Sequence, residues 1–351
     1  MSLNELMGTD TFPVLRCRQR KGSMSFQQAE HMRRREFIAL VGASITWPFA
    51  ARAQQAMPTV GVMSTASPTT TTFGVLFPKL MKEFGWEENR NYRILFRFAE
   101  GHIDRVPVLA DELLGHKVKV IVALGEASIQ AAQRATKTIP IVGISADMIR
   151  TGLAASMARP GGNLTGVNVL TSELDVKRLG FLHEAVPAAK RIGVLALPDR
   201  AFDTLPELET AARQLDLELV VNSVRRMDEL AQGFEALQSA HVHAVNVLAS
   251  SVVVPARSNI IEGLNRARLP AIYHFPDLAE QGGFLGYGPR LELSYQLVSR
   301  HVSNILRGTR PEDLPIEQPD RFDLVVNLKT ADALGVTVPP ALLVQANKVI
   351  E

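Results

Sequence analysis

Short apolar runs alternate with amphipathic segments along most of the chain. Predominantly apolar runs predict buried strands at residues 118–124 and 139–144, and apolar residues every three or four positions predict helices at residues 106–114 and 291–306. Further strands are predicted at residues 58–63, 92–98, 164–170, 191–197, 217–221, 244–248, 271–274 and 284–287. Further helices are predicted at residues 71–84, up to residue 135, and at residues 181–185, 205–215, 227–240 and 259–267. This alternation of strands and helices predicts parallel, doubly wound α/β sheets.

The stretch IPIVGISADMIRTGLAASMARPGGNLTGVNVL, at residues 139–170, divides this pattern in two. A predicted strand is followed by a helical patch with Leu153, Ser156 and Met157 on one face, and the letters RPGG then predict a sharp turn before the next strand. The rhythm of strands and helices is similar on both sides. The pattern alone therefore allows either a passage from one lobe to a second or one more loop within a single sheet.

Four segments decide between these alternatives by their similarity to a known family. They are FGWEENRNYRILFRFAEGHIDRVPVLADELL at 84–114, ATKTIPIVGIS at 135–145, ARPGGNLTGVNVL at 158–170 and QPDRFDLVVNLKTADALGVTVPPALL at 318–343. In order and spacing they resemble the ABC-transporter substrate-binding protein family, whose members are bilobed, type I periplasmic receptors. The resemblance covers nearly all of residues 57–351.

The resemblance implies a fold of two doubly wound parallel-sheet lobes joined by a three-strand hinge. We expect an N-terminal lobe from residues 56–168 and 288–318, and a C-terminal lobe from residues 169–287 and 319–351. Three crossings would form a hinge that lets the lobes open and close.

Residues 1–55 are predicted to be a disordered leader followed by an export signal peptide. From Met32 the chain reads MRRREFIALVGASITWPFAARA, which has the basic, apolar and Ala-x-Ala order of a cleaved signal. Arg34 and Arg35 with the following letters resemble a twin-arginine signal. The apolar part, broken by Pro48, is shorter than the roughly 20 residues of a membrane span. We therefore expect cleavage after Ala53 and a periplasmic location.

Cleavage changes the charge and the cysteine content. The whole chain of 351 residues has a net charge of +2, but 30 of its 38 basic and 32 of its 36 acidic residues would remain, a net charge of −2. The only cysteine, Cys17, would also be removed, and no cysteine follows the apolar segment to carry a lipid. We therefore expect a free periplasmic protein with no disulfide, no cofactor, no metal and no nucleic-acid partner.

Ligands of open α/β sheets bind beyond the carboxyl ends of the strands. In the first lobe this rule selects Ser64, Thr65, Gly125, Glu126, Ser145 and Asp147. In the second lobe it selects Asp199, Phe202, Ser250, Ser251, Tyr273, His274 and Tyr287. Gly125-Glu126-Ala127 departs from the resembled family, in which Ser or Thr often follows the glycine.

Each of these residues also has a purely structural interpretation. Ser64, Thr65 and Asp147 could cap helices or turns, and Glu126 either caps a helix or binds an amine, which the pattern does not separate. Tyr273 and Tyr287 either pack in the core or, as predicted here, face the Ser64 loop and sandwich a ligand.

No enzyme motif is present: the chain has no G-x-S-x-G, H-E-x-x-H or Walker sequence. Five histidines, His102, His116, His183, His241 and His243, are scattered without metal-ligand spacing, although His241 and His243 could bind a metal weakly. An enzyme is therefore not expected, and a secreted α/β enzyme is the least favoured alternative.

The function that the resemblance implies is that of a periplasmic receptor of an ABC importer. It would close on a small organic ligand, such as an aromatic or branched-chain amino acid or an aromatic carboxylate, and deliver it as a monomer to an ABC permease in the inner membrane. The alternative from another class is a periplasmic ligand-sensing domain for a sensor or regulator.

Overall fold

The computed structural model describes residues 57–68, 72–169, 172–197, 204–250 and 252–351. The predicted leader, export signal and cleavage site after Ala53 lie outside the described residues. So do three predicted site residues, Asp199, Phe202 and Ser251.

The described residues form two β-sheets. The first contains β1 (Thr59–Ser64), β2 (Arg93–Phe98), β3 (Val120–Leu124), β4 (Ile141–Ser145) and β5 (Leu164–Asn168), in the order β2-β1-β3-β4-β5. The second contains β6 (Arg191–Ala196), β7 (Glu218–Ser223), β8 (Ala244–Val247), β9 (Ala271–Tyr273), β10 (Leu285–Gly288), β11 (Asp323–Asn327) and β12 (Lys348–Ile350), in the order β12-β11-β10-β9-β8-β6-β7.

Helices connect the strands and cover both sheets. They are α1 (Thr72–Glu83), α2 (Val106–Gly115), α3 (Glu126–Ala135), α4 (Ser172–Ala185), α5 (Leu205–Gln214), α6 (Leu230–Ser239), α7 (Arg257–Arg266), α8 (Pro276–Glu280), α9 (Leu291–Leu306), α10 (Leu328–Leu334) and α11 (Pro340–Gln345). Short 3₁₀ turns precede α2 and α6 and also follow α9.

Parallel pairing explains why the central strands are apolar on both faces. In the first sheet β3 pairs with β1 and with β4, and its residues are buried except at the carboxyl end. A strand covered by helices on both sides excludes polar side chains, which is why residues 120–124 form an unbroken apolar run. Among the strands that the structure describes, only β10 and β11 pair antiparallel. The predicted fold of two parallel-sheet α/β lobes is confirmed, with that one pair as the exception.

The chain passes three times between the sheets: after β5, between β10 and α9, and between α9 and β11. On the third passage the segment before β11 pairs with the edge of the first sheet. The Glu317 N–H donates to the Gly166 carbonyl over 2.9 Å, and the Asn168 N–H donates to the Glu317 carbonyl over 2.9 Å. The Thr165 hydroxyl donates to the Leu314 carbonyl over 2.9 Å. The first and third passages therefore lie side by side at this edge.

The prediction of a helical patch after β4 is wrong. Residues 147–160 form turns instead of a helix. The Asp147 carboxylate accepts hydrogen bonds from the backbone N–H groups of Ile149 and Arg150, which closes a tight turn. Gly152 follows with φ +71°, a left-handed conformation that ends any helix. The hydrogen bonds to the Asp147 side chain thus outweigh the helical spacing of the apolar residues Leu153 and Met157.

Candidate functional site

A cavity of about 110 Å³ lies where the carboxyl ends of strands from both sheets meet. On the same measure a single water needs roughly 10–15 Å³, so the cavity has room for a small organic molecule. Its wall comes from both lobes and from the start of α9: Ser64, Ala66, Thr72, Phe73, Leu124, Gly125, Glu126, Ile144, Ser145, Ala146, Val169, Ala249, Ser250, Val254, Pro255, His274, Phe275, Leu291 and Tyr295.

The first lobe contributes the residues that end β1, β3 and β4. Ser64 is the last residue of β1, and its hydroxyl accepts a hydrogen bond from the Ala66 N–H over 3.1 Å. Ser145 is the last residue of β4, and its buried Oγ has no hydrogen-bond partner among the described residues. Gly125 and Glu126 begin α3 directly after β3. The strand-end rule therefore brings these four predicted residues together in one cavity wall.

The second lobe contributes Ser250 after β8 and His274 after β9. The Ser250 hydroxyl accepts a hydrogen bond from the Val252 N–H over 3.3 Å. The buried Nδ1 of His274 has no hydrogen-bond partner among the described residues. Burial, with a smaller contribution from the positive charge of Arg178, holds the pKa of His274 well below its ordinary value. His274 is therefore a neutral ring at neutral pH, able to donate or accept a hydrogen bond.

The Arg178 guanidinium lies behind His274, fully buried in the second lobe. It donates to the Asp175 carboxylate and to the Tyr287 carbonyl, the latter over 3.2 Å. Thr204 donates to the other Asp175 oxygen over 3.3 Å. Arg178, held by this ion pair within α4, thereby joins α4 to β10 close to His274.

Aromatic residues that the strand-end rule did not select form much of the cavity wall. Phe73 is in the first turn of α1 and Tyr295 is in the first turns of α9; their rings meet edge to face with centroids 5.0 Å apart. Phe275 stands beside His274, with ring centroids 4.4 Å apart. Both helices were predicted, but none of their residues was selected as a candidate for the site. Position in the sequence could have identified these residues, because each aromatic residue lies within about one turn of a helix start, and helices start at strand ends.

Tyr273 and Tyr287 do not line the cavity, which corrects the prediction that they sandwich a ligand. Tyr273 is fully buried, and its ring lies against Gly283, where an added Cβ would be 2.6 Å from the ring. The Tyr287 ring packs edge to face on Phe181, with centroids 4.7 Å apart. Successive strand residues point to opposite faces of the sheet. The last residue of a strand can therefore direct its side chain into the core instead of toward the cavity beyond the strand end.

Thr65 and Asp147 also lie outside the cavity wall, although both follow strands. Thr65 is buried, and its carbonyl accepts a hydrogen bond from the Gly101 N–H over 2.7 Å. Asp147 closes the turn after β4 and receives a long contact of 3.5 Å from the Asn168 amide. Their roles in this structure are those of turn residues.

Two further observations concern the described residues, 57–351 less its short gaps. No group of three or more His, Cys, Asp or Glu there could hold a metal ion. No helix among these residues is both long enough and apolar enough to cross a membrane.

Comparison with known proteins gives relatives of the same architecture. A tyrosine-binding protein of Clostridioides difficile (strain R20291) is 24% identical over 261 residues, which cover 74% of this chain and 75% of that protein. A conserved domain protein from Vibrio cholerae superposes with a TM-score of 0.76 at 24% identity, over 84% of this chain and 99% of the other. An ABC domain from Streptococcus pneumonia in complex with L-Trp superposes with a TM-score of 0.74 at 21% identity, over 84% and 100% of the two chains.

The family model for ABC transporter substrate binding proteins matches residues 67–350. That range includes both sheets almost completely and every residue of the cavity wall except Ser64 and Ala66. The chain therefore belongs to the ABC transporter substrate-binding protein family, a family of solute-binding proteins whose members bind small-molecule ligands and ABC permeases.

Proposed function

We propose that this protein is a periplasmic receptor of an ABC importer that closes on a small organic ligand in the cavity described above. The observation that carries the proposal is the cavity wall itself, which combines strand ends of both sheets with three aromatic rings. A ligand held by groups from both lobes favours the closed arrangement over the open one, because it makes both sets of contacts only when the lobes meet.

The ligand class that fits is an aromatic or branched-chain amino acid or an aromatic carboxylate. Phe73, Phe275 and Tyr295 offer apolar surface for a ring or a branched chain. Ser145 and His274 offer buried polar atoms that have no hydrogen-bond partner among the described residues. Helices α1 and α3 begin at the wall, and their first N–H groups favour a carboxylate. A relative that is described as tyrosine-binding and a neighbour in complex with L-Trp support the same class.

Thermal shift of the chain from Gln54 onward tests this proposal. The ligands are the twenty amino acids and a set of aromatic carboxylates, each at millimolar concentration. A ligand that binds the native state alone raises the melting temperature, because it stabilises that state by an amount that grows with the logarithm of the ratio of its concentration to its Kd. We expect a rise with at least one aromatic or branched-chain compound. No rise with any compound of these classes would overturn the proposed ligand class.

The transport role is tested separately. We expect the ligand-loaded protein to stimulate ATP hydrolysis by an ABC permease reconstituted from the same organism. Stimulation of a sensor kinase with no effect on any permease would instead favour the ligand-sensing alternative.

A further inference from the structure

Two residues of the cavity wall, one from each lobe, carry a buried polar atom that has no hydrogen-bond partner among the described residues. The atoms are the Oγ of Ser145, at the end of β4, and the Nδ1 of His274, directly after β9. Both residues are only 5% exposed. A buried polar atom without a partner costs free energy, because it gives up hydrogen bonds to water and gains none. The two atoms therefore point to a polar group that enters the cavity with a ligand.

Both residues can donate a hydrogen bond to such a group. The Ser145 hydroxyl rotates to suit its partner, and the neutral His274 ring carries one N–H, which is on Nδ1 in one of its two tautomers. Two donors from different lobes suit an acceptor group with two oxygen atoms, because each oxygen can then accept from one lobe. A carboxylate is such a group, and hydrogen bonds to an ionised acceptor are the stronger ones.

The charge near His274 favours an acidic group over an amine at this position. Burial and then the positive charge of Arg178 hold the pKa of His274 well below its ordinary value. A positive charge on the ring is thus disfavoured even though Arg178 pairs with Asp175. A protonated amine bound to the ring would meet the same repulsion, whereas a carboxylate would be attracted.

We infer that Ser145 and His274 together bind the carboxylate of the ligand, one from each lobe, and are specificity-determining residues of this receptor. This inference rests on the proposed function and names the group, shared by its ligand classes, that the cavity recognises. Because the two donors belong to different lobes, the carboxylate makes both hydrogen bonds only when the lobes meet. Its recognition therefore favours the closed arrangement.

Calorimetric titration with acids and their primary amides tests the inference. The acids are L-phenylalanine, L-tryptophan, L-leucine and 3-phenylpropionate, and each amide keeps the shape of the carboxylate while removing its negative charge. We expect at least one acid to bind roughly 10- to 100-fold more tightly than its amide, because hydrogen bonds to a charged group are replaced by weaker ones to a neutral group.

The variants Ser145→Ala and His274→Phe each remove one donor and retain a similar volume. Each should weaken the binding of that acid roughly 10-fold or more, and His274→Asn, which places an amide near the position of Nδ1, should recover part of the affinity. The empty protein should unfold at the same or a higher urea concentration in Ser145→Ala and His274→Phe, because an unpaired buried polar atom has been removed. A merely structural role of these residues predicts the opposite result, a less stable protein with its affinity retained.

Ser128→Ala and His183→Phe are the matched controls. Ser128 in α3 has a buried Oγ, and His183 in α4 a buried Nδ1, that has no hydrogen-bond partner among the described residues. Neither residue belongs to the cavity wall. Both variants should bind every acid with unchanged affinity.

The results separate this inference from the proposed function. Acid affinities that are unchanged in Ser145→Ala and His274→Phe, or amides that bind as tightly as the acids, overturn the inference and leave the proposed ligand class in place. No binding of any of the four acids by the unmodified protein overturns the proposed ligand class, and the inference with it. A loss of acid affinity that is confined to the Ser145 and His274 variants supports both.

Discussion

Arg150 and Glu207 join the two lobes by an ion pair. The Arg150 Nη2 lies 2.9 Å from the Glu207 Oε1, and both side chains are partly exposed. Arg150 belongs to the turn after β4 in the first lobe, and Glu207 to the first turn of α5 in the second. Because the pair connects different lobes, it stabilises the closed arrangement and must break when the lobes separate.

Glu207→Gln should weaken ligand binding slightly by removing this contact from the closed state. Exposed ion pairs contribute about 0.2–1 kcal/mol, which corresponds to a rise in Kd of about 1.4- to 5-fold at low salt. The effect should shrink toward zero at about 1 M salt, since screening removes the attraction in the unmodified protein. Glu209→Gln, two residues along the same helix, makes the same change in net charge and should have less effect. Equal affinities of the two variants at low salt would contradict a role of the pair in closure.

Phe73→Leu should reduce the affinity for an aromatic ligand while retaining a similar apolar volume. The loss of an aromatic contact is worth about 0.5–1.5 kcal/mol, or about 2- to 12-fold in Kd. Tyr273→Phe is the control, because Tyr273 is buried away from the cavity and its hydroxyl has no partner among the described residues. That control should bind normally. Calorimetric titration of both variants decides whether the cavity rings, rather than the strand-end tyrosine, contact the ligand.

Gly166→Ala should severely destabilise the first lobe. Gly166 has φ +150°, and an added Cβ would lie 1.9 Å from the Gly143 carbonyl oxygen on the neighbouring strand. Strands β4 and β5 pair Gly143 with Gly166 directly, so the backbone would have to move. We expect a loss above about 3 kcal/mol in the free energy of unfolding, measured by urea titration.

Gly180→Ala is the contrasting substitution, because nothing lies within 4 Å of the added Cβ in helix α4. Alanine favours a helix interior over glycine by about 1 kcal/mol, so this variant should be neutral or more stable. Similar stabilities of the two variants would show that β4 and β5 can separate at little cost.

His301 should make the protein lose stability as the pH falls from 7 to 5. Burial, together with the charge of Arg300, lowers the pKa of His301 to about 4, although the nearby Gly166 backbone opposes the shift. Above the unfolded value of about 6.5 neither state binds the proton. Below it the unfolded chain binds the proton first, so stability falls until the pH reaches about 4, by at most about 1.4 kcal/mol per pH unit. The buried His274 contributes in the same direction.

His301→Gln should therefore flatten the decline of the unfolding free energy between pH 7 and 5, measured by urea titration at each pH. Carboxylates titrate mainly below this window, so they interfere little. His102→Gln, which changes an exposed histidine, should retain the slope of the unmodified protein. An unaltered slope in His301→Gln would mean that the proton is taken up elsewhere.

Export should remove the chain through Ala53, as the order of basic, apolar and small residues predicts. N-terminal sequencing of periplasmic material should begin at Gln54. Replacing Arg34 and Arg35 by Lys should leave precursor in the cytoplasm if the twin-arginine route is used. Unchanged export would point to the general secretory route.

The sequence by itself determined the fold and the edge of the sheets at which the cavity lies. Unbroken apolar runs appear as buried parallel strands, and the predicted helix 291–306 is reproduced as Leu291–Leu306. Gly125, Glu126, Ser145 and His274 lie together because parallel strands end at a common edge. Hydrophobic periodicity was sufficient to specify the strands, the helices and the strand ends, whereas the division into two lobes came from the family resemblance of the four segments.

Only the tertiary structure decided which aromatic rings face the cavity. Tyr273 and Tyr295 are both apolar, buried residues in predicted elements, yet Tyr273 packs under Gly283 while Tyr295 meets Phe73 at the cavity. Periodicity shows that a side chain points inward, but not which element of a distant part of the chain it will contact. The position of α9 between the lobes, set by its packing against α1 and the first sheet, makes that choice. A contact across more than two hundred residues depends on packing, which no local pattern encodes.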